Sequence, residues 1–203
     1  MTTALHEQRL AAVLRAVDET GARTVLDLGC GSGDLILRLA VRPGIARITA
    51  LDTDLVALRS LQARLADLPD DARGRVQIAQ ASMTRAHRNL RGHDCACLVE
   101  TIEHLPPADL NRLERALFVD MRPQHIIVTT PNADYNPVLG VPAHRFRHPD
   151  HRFEWSRARF GRWADGVAAR TGYTVTRRDV GTAHPLLGGA SQMAFFRRSD
   201  QAP

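Results

Sequence analysis

An α/β fold follows from three features of this 203-residue chain, with a mainly parallel sheet of seven strands and helices on both faces. Short apolar runs alternate with helix-length amphipathic segments, the rhythm of strand–helix–strand units. A glycine-rich turn follows the first apolar run directly. The run around Cys95 and Cys97 is continuously apolar, as in a strand buried on both faces.

The elements follow in order. A first helix is predicted over 5–19, with Leu10, Val13, Leu14 and Val17 on one side and Gly21 ending it. A strand over 24–28 leads into the glycine turn, and a helix over 34–41 leaves it. The second strand covers 47–51 and is closed by Asp52; a helix over 55–66 and a loop at 69–71 lead to a third strand over 75–79. The cysteine-containing fourth strand, 93–99, precedes an acidic motif and a helix over 107–119. The fifth strand covers 124–130. Residues 131–151, rich in Pro, Asn and His, form a long irregular stretch, a type of segment that is often functional. A helix over 157–171 and strands over 173–179 and 191–197, joined by 181–190, complete the chain. No repeat, low-complexity tract or linker interrupts it, so a single domain spanning 1–203 is expected.

Composition narrows the class. The net charge is +5, and all 27 basic residues are arginine. Arginine's planar fork suits phosphate, so an anionic partner is favoured without being required. No apolar run reaches the roughly 20 residues of a membrane span, and the N-terminus lacks the charged start and apolar block of a signal peptide. A cytoplasmic protein with no membrane partner is expected. Cys30, Cys95 and Cys97 do not form a disulfide framework and read as reduced core residues.

The turn Asp27-Leu28-Gly29-Cys30-Gly31-Ser32-Gly33-Asp34 lies between a strand and a helix. Glycine lets the backbone turn tightly and lets a ligand approach it. The spacing is G-x-G-x-G, with an acidic residue two positions before it. Asp52 closes the next strand, where a carboxylate can accept hydrogen bonds from ribose hydroxyls. The pattern V-L-D-L-G-C-G-S-G resembles motif I of class I S-adenosylmethionine-dependent methyltransferases, which have a Rossmann-like fold. The resemblance implies S-adenosylmethionine as cofactor, held at Gly29, Gly31 and Gly33. Asp27 stands near its ammonium group, Asp52 at its ribose, and Ser82 and Met83 near its adenine.

Glu100, Glu103 and His104 follow the cysteine strand. A helix starting near Glu100 would put all three on one face, since positions three and four apart are neighbours. Glutamates favour a helix N-terminus through its dipole, but a protonated histidine does not. Mixed carboxylate and imidazole donors suit Mg²⁺ or Mn²⁺, with imidazole pulling the preference towards Mn²⁺ or another transition metal. His144, His148 and His151 are each candidates for a fourth ligand, and spacing does not choose among them.

These residues resemble the small-RNA 3′-terminal ribose 2′-O-methyltransferases over almost the whole chain. The marks are Glu100-x-x-Glu103-His104, Thr130-Pro131-Asn132 leading to Asn136, the block from Asp150 to Trp155 (D-H-R-F-E-W), and Ala190-Ser191-Gln192-Met193-Ala194. The resemblance is closest to the methyltransferase domain of the bacterial RNA-repair members. It implies that Glu100, Glu103, His104 and His151 are both the metal ligands and the catalytic residues. His144 and His148 are then loop or substrate-contacting residues, and Glu154, Trp155 and Phe160 anchor the loop and helix. The implied reaction methylates the 2′-hydroxyl of an RNA carrying a free 3′-terminal diol, with a separate RNA-binding or RNA-repair protein as a possible partner. Arg145, Arg147 and Arg152 are candidate phosphate contacts. Two other readings use the same residues: a metal-dependent O-methyltransferase of a small diol or catechol, and a non-catalytic S-adenosylmethionine-binding subunit.

Overall fold

The computed structural model describes residues 3–85 and 88–199. Helix α1 (Ala4–Thr20) begins at Thr3, whose hydroxyl accepts the N–H of His6 at 3.2 Å, and ends at Gly21 in the left-handed region. Strands β1 (Thr24–Leu28) and β2 (Arg47–Asp52) flank α2 (Asp34–Ala40). Helix α3 (Leu55–Leu65) and the one-turn α4 (Asp70–Arg73) lead to β3 (Val76–Gln80). The sequence predicts a loop where α4 stands. Pro69 before it and Asp70 and Asp71 in its first turn are favourable helix starters, enough for one turn.

Strand β4 (Cys95–Val99) runs into the acidic motif. Beyond it the predicted helix over 107–119 is divided into a 3₁₀ turn (Pro107–Asp109), α5 (Leu110–Glu114) and a π-helical stretch (Arg115–Met121). Ala116, Leu117, Phe118 and Met121 are all buried. The i→i+5 turn spreads neighbours over a narrower arc, which keeps this consecutive apolar run against the sheet. Strand β5 (His125–Pro131) follows. Inside the stretch predicted to be irregular, Ala133–Leu139 forms 3₁₀ structure capped by the Asn132 side chain, which accepts the N–H of Asp134 at 3.0 Å. Helix α6 (Arg157–Thr171) and strands β6 (Tyr173–Val180) and β7 (Ser191–Arg198) complete the fold.

The seven strands lie in the order β3-β2-β1-β4-β5-β7-β6. All pairings from β3 through β5 are parallel; β7 runs antiparallel to both β5 and β6. Two cores sandwich the sheet, as the period of two requires. Val25, Cys95 and Cys97 face α1, α2 and α3, while Leu26, Leu28, Ala96 and Leu98 face α5, the π stretch and α6. The three cysteines are free, as expected. No helix among the described residues is long and apolar enough to cross a membrane.

Strand order reverses between β1 and β4, which are direct neighbours. The crevice at the carboxyl ends of such a pair is where open α/β sheets bind ligands. The glycine turn leaves β1 at this edge and the acidic motif leaves β4 beside it.

Candidate active site

The glycine turn is held by backbone bonds. Gly29 and Cys30 donate to the Leu51 carbonyl at 2.7 and 3.1 Å, and Gly31 donates to Asp52 Oδ2 at 2.8 Å. Asp52 Oδ1 accepts the N–H of Asp54 at 3.0 Å. Two glycines are sterically required. A Cβ on Gly29 (φ +78) would lie 2.4 Å from Thr101 Cγ2, and one on Gly33 (φ +88) 2.3 Å from Leu61 Cδ1. Gly31 (φ +53) has nothing within 4 Å of the same position.

A cavity of about 610 Å³ opens over this turn. Asp27, Asp52 and Met83 line it at the turn, and Glu100, Thr101 and His104 line it at the other end. Asp27 is buried, and that burial, reinforced by the nearby Asp52, pushes its carboxyl up to about 7. Met83 lines the cavity, whereas the Ser82 hydroxyl lies 2.8 Å from that of Thr84 and is not part of the lining.

The acidic motif departs from the predicted helix. Glu100 takes φ +50, in the left-handed region, and only a 3₁₀ turn (Ile102–His104) follows. The Glu100 N–H remains tied to β5, donating to the Thr129 carbonyl at 3.1 Å, and its left-handed φ keeps the residue out of a helix. A non-glycine residue in this conformation costs roughly 1–3 kcal/mol, a strain that clusters at functional sites. The turn sends both glutamate side chains inward and leaves His104 exposed.

Glu103 is fully buried and accepts from Thr130 Oγ1 at 2.9 Å. Glu100 Oε2 lies 3.0 Å from Arg9 Nη2 of α1 and 3.4 Å from the Ser191 hydroxyl of β7. Burial pushes both carboxyls up. The charge of Glu100 raises Glu103 further, while Arg9 pulls Glu100 back down. Each glutamate keeps one buried oxygen, Glu100 Oε1 and Glu103 Oε1, with no hydrogen-bond partner among the described residues. Two buried acceptors without donors, on carboxylates that repel one another, fit a cation.

The histidines arrive from the other side. His104 and His151 rings meet edge to face with centroids 4.8 Å apart. His151 Nδ1 lies 2.6 Å from Glu154 Oε1. Burial raises the Glu154 carboxyl, but the bonds from His151, Asn136 Nδ2 (2.6 Å) and the Arg147 N–H (2.7 Å) outweigh it and hold it low. An ionised Glu154 requires the proton on Nδ1, which donates to it, and leaves the lone pair of His151 Nε2 free, the arrangement of metal-ligating histidines. Among the described residues, the set of three possible ligands whose atoms lie within 4.8 Å of one another is His104, His148 and His151; the glutamates stand outside it.

The loop itself is fastened. Arg152 N–H donates to the Glu103 carbonyl at 2.7 Å. The Arg147 guanidinium, a phosphate candidate in the sequence, is spent within the fold on Asn136 Oδ1 (2.5 Å), the Ala190 carbonyl (2.6 Å) and the Asn132 carbonyl. Arg145 and Arg152 have exposed side chains. Trp155 packs against Phe153 with centroids 4.4 Å apart, the anchoring role predicted for it, and Phe160 is buried in the same core. Arg9 was not legible as a site residue, and Thr130 and Ser191 entered only as parts of the resemblance's motifs, with no role in the site given to them. Arg9 flanks the apolar stripe of α1 and reads as solvent-facing, and the other two are ordinary strand residues.

Comparison with known proteins agrees with this geometry. Residues 25–124 match the family model described as a methyltransferase domain. A small RNA 2′-O-methyltransferase of Xenopus tropicalis is 34% identical over 204 residues, covering 96% of this chain. The methyltransferase domain of bacterial CtHen1 superposes with a TM-score of 0.87 at 36% identity, covering 96% of this chain and 99% of that one. The chain belongs to the small-RNA 2′-O-methyltransferase family. It spans about half the length of the curated relatives it matches, 55% in the Xenopus case. A glycopeptide N-methyltransferase complexed with S-adenosylmethionine shares the fold, with a TM-score of 0.68 at 17% identity. The methyltransferase fold that the glycine turn predicts is the one observed.

Proposed function

We propose that this chain, acting as one catalytic domain, transfers the methyl group of S-adenosylmethionine to the 2′-hydroxyl of the 3′-terminal nucleotide of an RNA. A divalent ion, Mg²⁺ or Mn²⁺, would be held by Glu100, Glu103, His104 and His151. The observation that carries this reading is the single cavity running from the glycine turn to Glu100 and His104. A sulfonium held at one end and an acceptor oxygen held at the other would face each other across one space, which is the positioning a methyl transfer needs.

At the turn, Gly31 offers open approach to the backbone, Asp27 a carboxylate for the cofactor's ammonium, directly or through water, and Asp52 an acceptor for its ribose hydroxyls. When bound, the ion would lower the pKa of the ribose 2′-hydroxyl and bind the terminal 2′ and 3′ oxygens together. Glu100 Oε1 and Glu103 Oε1 supply negative charge without internal competition. Glu154 fixes the His151 tautomer. Partial desolvation and its neighbours His151 and His148 hold His104 below the ordinary histidine range, which favours the neutral ring with a lone pair available. DNA lacks the vicinal diol and would not be an acceptor. Arg145 and Arg152 are the loop arginines left to meet phosphate.

The test is methyl transfer from labelled S-adenosylmethionine to a short RNA, with Mn²⁺ and with EDTA, followed by periodate. The expected result is metal-dependent labelling of an end that then resists periodate. Equal labelling in EDTA refutes the reading. Labelling of a catechol but not of RNA, insensitive to salt, would assign the site to small diols instead.

A further inference from the structure

Aromatic side chains are scarce in this chain, and all but one are packed. Of its six phenylalanines, two tryptophans and two tyrosines, only Phe146 is exposed, at 48%. Core rings meet one another: Phe118 meets Tyr173 and Phe196 with centroids 5.3 and 4.9 Å apart. Phe146 has no ring contact among the described residues. A single exposed apolar residue needs no explanation on an ordinary surface. Phe146 lies instead on the loop that carries His151. It stands two positions before His148, whose ring is 5.9 Å from that of His104 at the far end of the cavity. Two residues of chain span at most about 7 Å, so Phe146 stands near the cavity mouth.

The backbone on both sides of the ring is fastened. The Arg147 guanidinium turns into the fold, onto Asn136 Oδ1 and the carbonyls of Asn132 and Ala190. The Arg147 N–H donates to Glu154 Oε1 at 2.7 Å, and the Arg145 N–H donates to the Pro142 carbonyl at 2.9 Å. The side chains of Arg145, Phe146 and His148 stay outside. A ring presented by fixed backbone has little freedom left to lose on binding.

We infer that Phe146 is the stacking platform for the nucleobase of the RNA's 3′-terminal nucleotide. This rests on the function proposed above and names a subsite for its substrate. With the terminal ribose at the far end of the cavity, the base attached to it lies against the cavity mouth. A flat apolar ring takes any base by its π-face, so the end is gripped without its sequence being read. The exposed Arg145 beside it supplies charge for a neighbouring phosphate.

The test uses short RNAs that differ only at the last nucleotide. Phe146→Ala should raise the KM for RNA about 5- to 100-fold, with kcat within about twofold. Its S-adenosylmethionine affinity by calorimetry should be unchanged, which also shows that the fold is intact. Phe146→Trp and Phe146→Tyr should keep the KM of the unaltered chain. Phe146→Leu should not, because apolar contact without a π-face is not a stack. An RNA ending in an abasic ribose should lose the same factor with the unaltered chain and nothing further with Phe146→Ala. 2-Aminopurine as the last base gives a readout without turnover. Its fluorescence should be quenched by stacking in the unaltered chain and stay bright in Phe146→Ala at saturating protein. An unchanged KM in Phe146→Ala, full activity in Phe146→Leu, or losses from the abasic end and from Phe146→Ala that simply add overturns the inference and leaves the proposed function intact. No transfer to RNA by the unaltered chain with Mn²⁺ overturns both.

Discussion

Substituting Asp27→Asn removes a titration that the fold makes expensive. The buried carboxyl holds its proton up to about 7, whereas an ordinary aspartate gives it up near 3.8. Between those values the folded chain binds more protons than the unfolded chain. Stability at this site is therefore full below about pH 4 and is lost as pH rises towards 7. The difference of about three units corresponds to a loss on the order of 4 kcal/mol, of which about 2.3 kcal/mol falls between pH 5 and pH 7. Asparagine does not titrate, so the unfolding free energies of the two proteins should diverge over that interval, with Asp27→Asn gaining as pH rises. Urea unfolding at half-unit steps from pH 5 to pH 8 measures this. Cofactor binding gives the functional counterpart. An ammonium beside Asp27 favours its ionised form, so the ratio of S-adenosylmethionine affinities, unaltered chain over Asp27→Asn, should rise from pH 6 to pH 8. The cofactor's own titration cancels in that ratio. Parallel stability curves and a constant ratio would refute the argument.

Two further substitutions probe the supports of the site. Glu154→Ala should weaken Mn²⁺ binding about 10- to 100-fold by freeing the His151 ring, with S-adenosylmethionine affinity within about twofold; unchanged Mn²⁺ affinity by direct titration would remove Glu154 from the metal's support. Gly33→Ala should destabilise by about 2 kcal/mol through its φ of +88 and its collision with the buried Leu61, whereas Gly31→Ala should cost less stability and more cofactor affinity, since its Cβ meets only open space. Thermal melts and cofactor calorimetry on the pair check this, and equal effects of the two substitutions on both readouts would contradict it.

The fold was legible because its signals are local and agree with one another. Apolar runs gave the strands, and the caps Thr3, Gly21, Ser156 and Gly172 sit where sequence rules place them. The misread segments are those where tertiary packing overrides periodicity. The π stretch Arg115–Met121 turns more widely to bury consecutive apolar residues, and Glu100 takes a left-handed conformation while its N–H stays bonded to β5. In the site, residues near the motifs were readable and residues that arrive across the sheet were not. Arg9 reaches Glu100 from 91 positions away and carries no local mark. Arg147 looked like a phosphate contact because charge is visible in a sequence and its satisfaction by Asn136 and two carbonyls is not. His148 could not be told from His144 by spacing; the turn that returns His151 towards His104 separates them.

The claim that joins cofactor, metal and RNA end is that both terminal ribose oxygens would be held by the ion that Glu100, Glu103, His104 and His151 would carry. The most direct test is the initial rate of methyl transfer to four oligoribonucleotides identical except at the last sugar: 2′,3′-diol, 3′-phosphate, 3′-deoxy and 2′-deoxy. The account predicts full activity on the diol alone. The 3′-phosphate should be poor, because an anion would meet Glu100 and Glu103. The 3′-deoxy end should lose much activity although its acceptor oxygen remains, and the 2′-deoxy end should lose all of it. Equal rates on the 3′-hydroxyl and 3′-phosphate ends would contradict the account.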